Sequence, residues 1–454
     1  MKHTDSHDGH LWTDFSDPKP SRSRLNNHLN TPLYKNAYFL IANNATNALL
    51  GLIFWLLVAR LFSDNTAEVG IGTTLTATVT FLAGLSTLGA GFGLIRFLSG
   101  TGEKAPKMIN SCFTLSALTS LIVSLIFLGI VGIWFKDLVF VRDDPIYAII
   151  FILLTMVWTL FILCDYVFIA ERTAKFTFAK NIIMNCFRFP FVILFAVVLG
   201  IGAFGILSSA GLATAIGLGI ALLWFLPRVA KGYRPIPTLQ RDMLGRIIRY
   251  SLSNYLAEMF WGAPILLFPL MVLSMLGKEM SAYFYMTWQL STVLLMVPGA
   301  LAASLFAEGS FEEDKLRSNT LKAMGLSIAI LIPSIAGVFL LGNKLLSLFG
   351  PEYSENATTL LWILAVSAIP MGINSFYISV IRVKKDITRI IVVSAVTACF
   401  TLGLSYIFMT EFGLWGMGLG WLIGQTMVAI AVIVPLLRQS ASSETNSVLT
   451  EEKQ

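Results

Sequence analysis

Three charged residues, Asp165, Arg188 and Glu258, stand well inside long apolar runs, and Asn43, Asn47 and Asn254 share such settings. Ionisable groups in hydrocarbon cost several kcal/mol and face a cavity or a partner. Asn43 and Asn47 are one helical turn apart, as are Asn254 and Glu258, and Trp261 extends the second stripe by another turn. Such stripes suit either a hydrated cavity or hydrogen bonding between helices. Arg188 offers a planar fork of donors for a phosphate, and it is also placed to pair with Asp165 on a neighbouring helix. Glu258 can accept from sugar hydroxyls or carry a coupling ion. Asp165 and Glu258 are therefore the candidates for an ion pair or for coupling. Trp261 and Trp288 can stack on sugar rings or simply pack.

The elements that hold these residues are apolar helices. Mean hydropathy is +0.75, and only 13% of residues are charged, against roughly 25% in soluble domains. With about 20 apolar residues per crossing, twelve spans are predicted. They cover 37–62, 69–97, 108–134, 146–170, 177–200 and 203–227, then 248–276, 282–307, 320–341, 358–381, 388–409 and 414–437. Of the 32 Lys and Arg, all but Arg60, Lys136, Arg142, Lys278, Lys344 and the buried Arg188 fall on one side of these spans. Under the positive-inside rule that side is cytosolic, so both termini face the cytosol; the expected location is the plasma membrane. The net charge of +6 is then a topological signature and not a nucleic-acid footprint.

The two halves align. GAFG, beginning at Gly202, matches GLWG, beginning at Gly413, and the same offset places Asn43 on Asn254 and Asn47 on Glu258. DYVFIAER, ending at Arg172, resembles NSFYISVIR, ending at Arg382, at nearly that offset. Six spans per half make the repeat parallel, with a pseudo-twofold axis along the membrane normal and substrate between the halves. The domain reading is a cytosolic tail (1–36), an N-terminal six-helix bundle (37–227), a basic cytosolic linker (228–247), a C-terminal six-helix bundle (248–437) and a polar tail (438–454). Asn43, Asn47, Arg188, Asn254, Glu258 and Trp261 are the predicted cavity set. Arg96, Arg172 and Arg382 close helices at the cytosolic rim and form a candidate basic vestibule.

Several chemistries lack their residues. No phosphate-binding loop, H-E-x-x-H, C-x-x-C or nucleophile elbow occurs. All four histidines (His3, His7, His10 and His28) lie before the first span, where a solvated tail is favoured over a metal site. The four cysteines read as small packing residues. No cofactor and no metal are expected, and a transporter is favoured over an enzyme.

NAYFLIANNATNALLGLIFWLLVARLFSDNTAEVGIGTTL (Asn36 to Leu75) and I-R-V-K-K-D (Ile381 to Asp386) resemble the oligosaccharide, O-antigen-type flippases. These are the polysaccharide-synthesis branch of the multidrug/oligosaccharidyl-lipid/polysaccharide exporter superfamily. The resemblance covers about residues 35–438. It implies translocation of a polyprenyl-linked sugar to the outer leaflet by alternating access, through a cavity lined by the first and seventh helices. Asn43, Asn47, Asn254 and Glu258 would face that cavity and Arg188 would contact phosphate. The first helix carries no buried arginine, which argues against a peptidoglycan precursor as cargo. Implied partners are the lipid-linked oligosaccharide, membrane lipid and the glycosyltransferases or polymerase of the same pathway, with no nucleic acid. The alternatives are a cation-coupled multidrug antiporter of the same fold, which calls for an acidic membrane cluster, and a scaffold for a glycan synthase, which has no use for matched polar stripes.

Overall fold

The computed structural model describes residues 32–309 and 316–439, and those residues form an all-helical protein. The histidine-bearing part of the N-terminal tail and the C-terminal tail from 440 onward lie outside the described residues. The helices are α1 (Pro32–Leu61), α2 (Thr66–Ser86), α3 (Ala90–Phe97), α4 (Ala105–Trp134), α5 (Pro145–Ala170) and α6 (Ala174–Val192). They continue with α7 (Ala203–Ile220), α8 (Arg241–Leu276), α9 (Lys278–Gly309), α10 (Leu316–Ser347), α11 (Pro351–Val383) and α12 (Ile387–Gln439).

Eleven described helices are long and apolar enough to cross a membrane. One of them, α12, has 53 residues, or about 80 Å at 1.5 Å per residue. That is more than twice a bilayer core, and α12 is interrupted at Gly413 (φ 60°, ψ −138°), so it supplies two crossings. The twelve predicted spans are all present as helix.

The second span departs from the expected continuous helix, because it is broken between α2 and α3. Leu88 (φ 47°) and Gly89 (φ 72°) take left-handed conformations there. The carbonyl groups freed by the break find partners: Tyr255 Oη donates to Leu85 O at 2.8 Å, and Thr87 Oγ1 donates to Gly84 O at 2.8 Å. A second difference concerns the linker. Helix α8 begins at Arg241, inside the expected connection, and the unwound stretch before it is strapped onto α4. Asn110 Nδ2 donates to Arg234 O (2.7 Å), Thr238 N to Thr114 Oγ1 (3.0 Å) and Gln240 N to Ser111 Oγ (3.3 Å).

The repeat is visible in backbone geometry. Gly202 (φ 63°, ψ −138°) and Gly413 (φ 60°, ψ −138°) share a conformation open only to glycine. Three residues on, Gly205 and Gly416 pack against the carbonyls of Phe195 and Phe408; a Cβ would stand 3.0 Å from the first and 2.1 Å from the second. Arg172 (φ 53°) and Lys385 (φ 58°) close α5 and α11 with the same pair of terminal hydrogen bonds.

Helices α1–α7 pack mainly on one another, as do α8–α12, giving two lobes. The lobes meet where α2 lies against α8 and α9, and where α3 lies against α8. The largest buried apolar cluster bridges them, joining Phe54, Trp55 and Val69 to Phe268, Phe284 and Trp288.

Candidate functional site

Between the lobes, the end that carries the linker is hollow and the opposite end is sealed. The seal begins with a glycine: a Cβ on Gly70 would stand 1.8 Å from Lys278 O. That close approach lets the Thr74 and Ser281 hydroxyls meet at 2.8 Å. Around it, Lys278 pairs with Asp137 at 3.2 Å. Arg60, at the end of α1, donates to Leu348 O (2.7 Å) and Ser347 O (3.1 Å) at the end of α10.

Toward the linker end lie three adjoining cavities of about 230, 570 and 200 Å³. The first is walled by the α2–α3 break, Tyr166 of α5, and Tyr255 and Glu258 of α8. The largest is lined by Tyr250, Asn254, Glu258, Arg382 and Lys385. The smallest is a recess within the second lobe that reaches Trp261, Arg382 and three serines. Glu258 belongs to the first two and Arg382 to the last two. These side chains face each other at 3.5 Å, with 52% and 44% of their side-chain surfaces open. A carboxylate in water-filled surroundings holds an arginine only loosely, so the guanidinium keeps donors for another anion.

The predicted residues divide into two groups. Asn254, Glu258 and Arg382 line the interlobe cavity, and Trp261 lines the recess within the second lobe. Asn43, Asn47 and Arg188 lie instead along the seam between α1 and α6. There Asn181 Nδ2 donates to Asn43 Oδ1 (2.8 Å), Asn185 Nδ2 to Asn47 Oδ1 (2.7 Å) and Arg188 Nη2 to Leu50 O (2.8 Å). Asn36 Oδ1 accepts from Ala174 N at 2.7 Å. Every rung joins residues 138 apart. Within α1 the rungs are spaced 7, 4 and 3 residues apart, the spacing of a heptad seam between parallel helices. Arg188 ends the ladder with its guanidinium 4.3 Å from the Phe54 ring, a cation–π contact. Among the described residues no carboxylate lies in ion-pair range of it.

Asp165 does have a partner, and it is Lys180. The ammonium is wholly buried and lies 3.1 Å from the carboxylate. It also donates to Phe161 O at 2.8 Å. Sequence position counts Lys180 among the rim cations of its side; burial against α5 makes it an internal countercharge. Arg96 and Arg172 are exposed at the linker end and outside the walls of the three cavities.

Sequence reasoning missed Lys180, Asn181, Asn185, Tyr255 and Lys385. The signal for the two asparagines was present, since the fifth span repeats the N-x-x-x-N of the first. Among the described residues no group of three or more His, Cys, Asp or Glu could hold a metal ion.

No protein-family model matches the chain, and no curated protein matches it. Solved structures do. An inward-facing multidrug-resistance MATE family transporter of the MOP superfamily superposes with a TM-score of 0.69, over 88% of this chain and 96% of that one, at 15% identity. An outward-facing one gives 0.64 over 91% and 96%, also at 15% identity. A MATE in complex with MaL6 gives 0.57 over 89% and 97%, at 14% identity. The chain is a multi-pass, two-lobed membrane protein with the fold of the MATE transporters of the MOP superfamily.

Proposed function

We propose that this protein is a transporter, not an enzyme, and that it moves a polyprenyl-(pyro)phosphate-linked oligosaccharide from the cytosolic to the outer leaflet by alternating access. The observation that carries the reading is the hollow at the linker end. It holds two cations, Arg382 and Lys385, beside Asn254 and Tyr250, in about 570 Å³ between the lobes. A diphosphate is recognised by convergent cationic donors and a glycan by neutral hydrogen-bonding groups. The excess of Lys and Arg on that side makes it cytosolic, so the cavities face the leaflet where such a cargo is built. Both termini are then cytosolic and the membrane is the plasma membrane.

The antiporter alternative needs a carboxylate free to exchange a cation. Asp165 is neutralised by Lys180 and Glu258 faces Arg382, which favours an anionic cargo. The resemblance of Asn36 to Leu75 and of Ile381 to Asp386 to the oligosaccharide flippases points the same way. The membrane-bound glycosyltransferases or polymerase of the same pathway are the proposed partners.

The test is a leaflet-resolved profile of lipid-linked glycans in the native host with and without the gene. Accumulation of a complete lipid-linked glycan on the cytosolic side, with loss of its surface polymer, is the expected outcome. An unchanged profile in a host without a paralogue would refute the reading and turn attention to ion-coupled drug efflux.

A further inference from the structure

The recess behind Arg382 is chemically unlike the open hollow beside it. It is bounded by α8, α9, α11 and α12, all of the second lobe, and holds about 200 Å³. Three serine hydroxyls converge on it: Ser375 and Ser379 from α11 and Ser394 from α12. Their protons are not equally available. Ser375 donates to Met371 O (2.9 Å) and Ser379 donates to Ala302 O (2.7 Å). Each therefore turns only lone pairs toward the recess, and their natural ligands are donors. Ser394 is 1% exposed, and its Oγ has no hydrogen-bond partner among the described residues. A buried hydroxyl without a partner is costly, so a ligand that presents a polar group to Ser394 is favoured over one that presents none. The rest of the lining is apolar: the Trp261 indole, and from α9 the Phe306 ring with Gly299, Ala302 and Ala303. Arg382 stands at the mouth, shared with the larger cavity.

This combination specifies a ligand. It must offer several hydrogen-bond donors on one side, a flat or ring-like apolar face on the other, and an anion at the end next to Arg382. A lipophilic amine meets the first demand but is repelled by the guanidinium. A fatty chain meets none of the three. A pyranose bearing a phosphate on its anomeric carbon meets them all. We infer that the recess is the subsite for the first sugar of the lipid-linked glycan, the one joined to phosphate. Ser375, Ser379 and Ser394 accept or share its hydroxyl protons, Trp261 covers its ring, and Arg382 holds the phosphate. This rests on the flippase reading and assigns that reading's cargo a point of entry, with the reducing-end sugar in the second lobe and the rest of the glycan in the larger cavity.

The experiment uses the full chain in lipid nanodiscs and measures equilibrium binding of three glycosyl 1-phosphates (glucose, galactose and N-acetylglucosamine) against inorganic phosphate. At least one sugar phosphate should bind about tenfold more tightly than phosphate, the increment that one or two extra net hydrogen bonds supply. Ala303→Leu, which fills the recess from an exposed position on α9, should erase that preference and leave phosphate affinity unchanged. Ser394→Ala, nearly isosteric, should reduce it, and Arg382→Gln should weaken sugar phosphate and phosphate alike. A preference that survives both Ala303→Leu and Ser394→Ala would overturn the subsite. So would equal binding of all four probes to the wild type, which leaves the flippase reading standing. Binding of none of the probes would count against both.

Discussion

The Ser281 hydroxyl lies 3.5 Å from the carbonyl oxygen of Gly70, its own counterpart 211 residues earlier in the repeat. Helices α2 and α9 thus cross at equivalent positions, and the pseudo-twofold axis runs through the seal. A contact on the axis is the point where two related lobes can rock with least displacement of their backbones. It is also where bulk is least tolerated, since a Cβ on Gly70 meets the Lys278 carbonyl at 1.8 Å.

Substituting Gly70→Val should therefore hold the sealed end apart. Distances between spin labels placed on α2 and α9 at that end should lengthen, and glycan export should fall by at least tenfold. Conversely, the cysteine pair Thr74→Cys/Ser281→Cys, replacing hydroxyls that meet at 2.8 Å, should cross-link under mild oxidation, arrest export and release it on reduction. Export that persists through complete cross-linking would show that the seal need not open.

The Lys180–Asp165 pair should behave as a structural charge pair. Lys180→Met leaves a carboxylate without its buried partner and should cost about 3–5 kcal/mol of stability. Lys180→Met combined with Asp165→Leu should recover most of that loss. Denaturant unfolding in detergent provides the measurement; a double variant no better than the single would refute the assignment.

Arg188 is fixed by one carbonyl and by the Phe54 and Phe189 rings, and by no carboxylate among the described residues. Arg188→Ala should leave the protein folded and lower export by at least tenfold, with Arg188→Lys partly active. Full export by the Ala variant would remove Arg188 from the transport path.

The two asparagine groups should differ in water access. In a cysteine-free background, Asn254→Cys should react readily with a membrane-impermeant thiol reagent applied from the linker side. Asn43→Cys, 7% exposed in the ladder, should react at least tenfold more slowly. Equal rates would place the ladder in water too.

Much of this arrangement was written in local sequence. The spans follow from hydropathy, because every backbone polar group in lipid must be satisfied within its helix. The repeat is legible in GAFG and GLWG because a glycine-only conformation leaves glycine in both copies. What eluded the sequence depends on how one helix face meets another. Asn43 and Asn47 read equally well as cavity wall or as glue, and only the placement of α6 puts Asn181 and Asn185 opposite them. Lys180 sits near a helix end in one dimension, where cations mark topology, and only packing against α5 encloses it. The break at Leu88 and Gly89 hides among four glycines, Gly84 to Gly93, any of which could have carried it.

The strap that binds the linker to α4 reaches Gln240, and α8 starts at the next residue. No slack therefore separates the first lobe from the second along the chain, and α8 is a lever whose fulcrum is that junction. Its 36 residues span about 54 Å. A tilt of about 10° at the fulcrum would then sweep the far end of the helix through about 9 Å, so the few hydrogen bonds that anchor the strap set the reach of the whole machine.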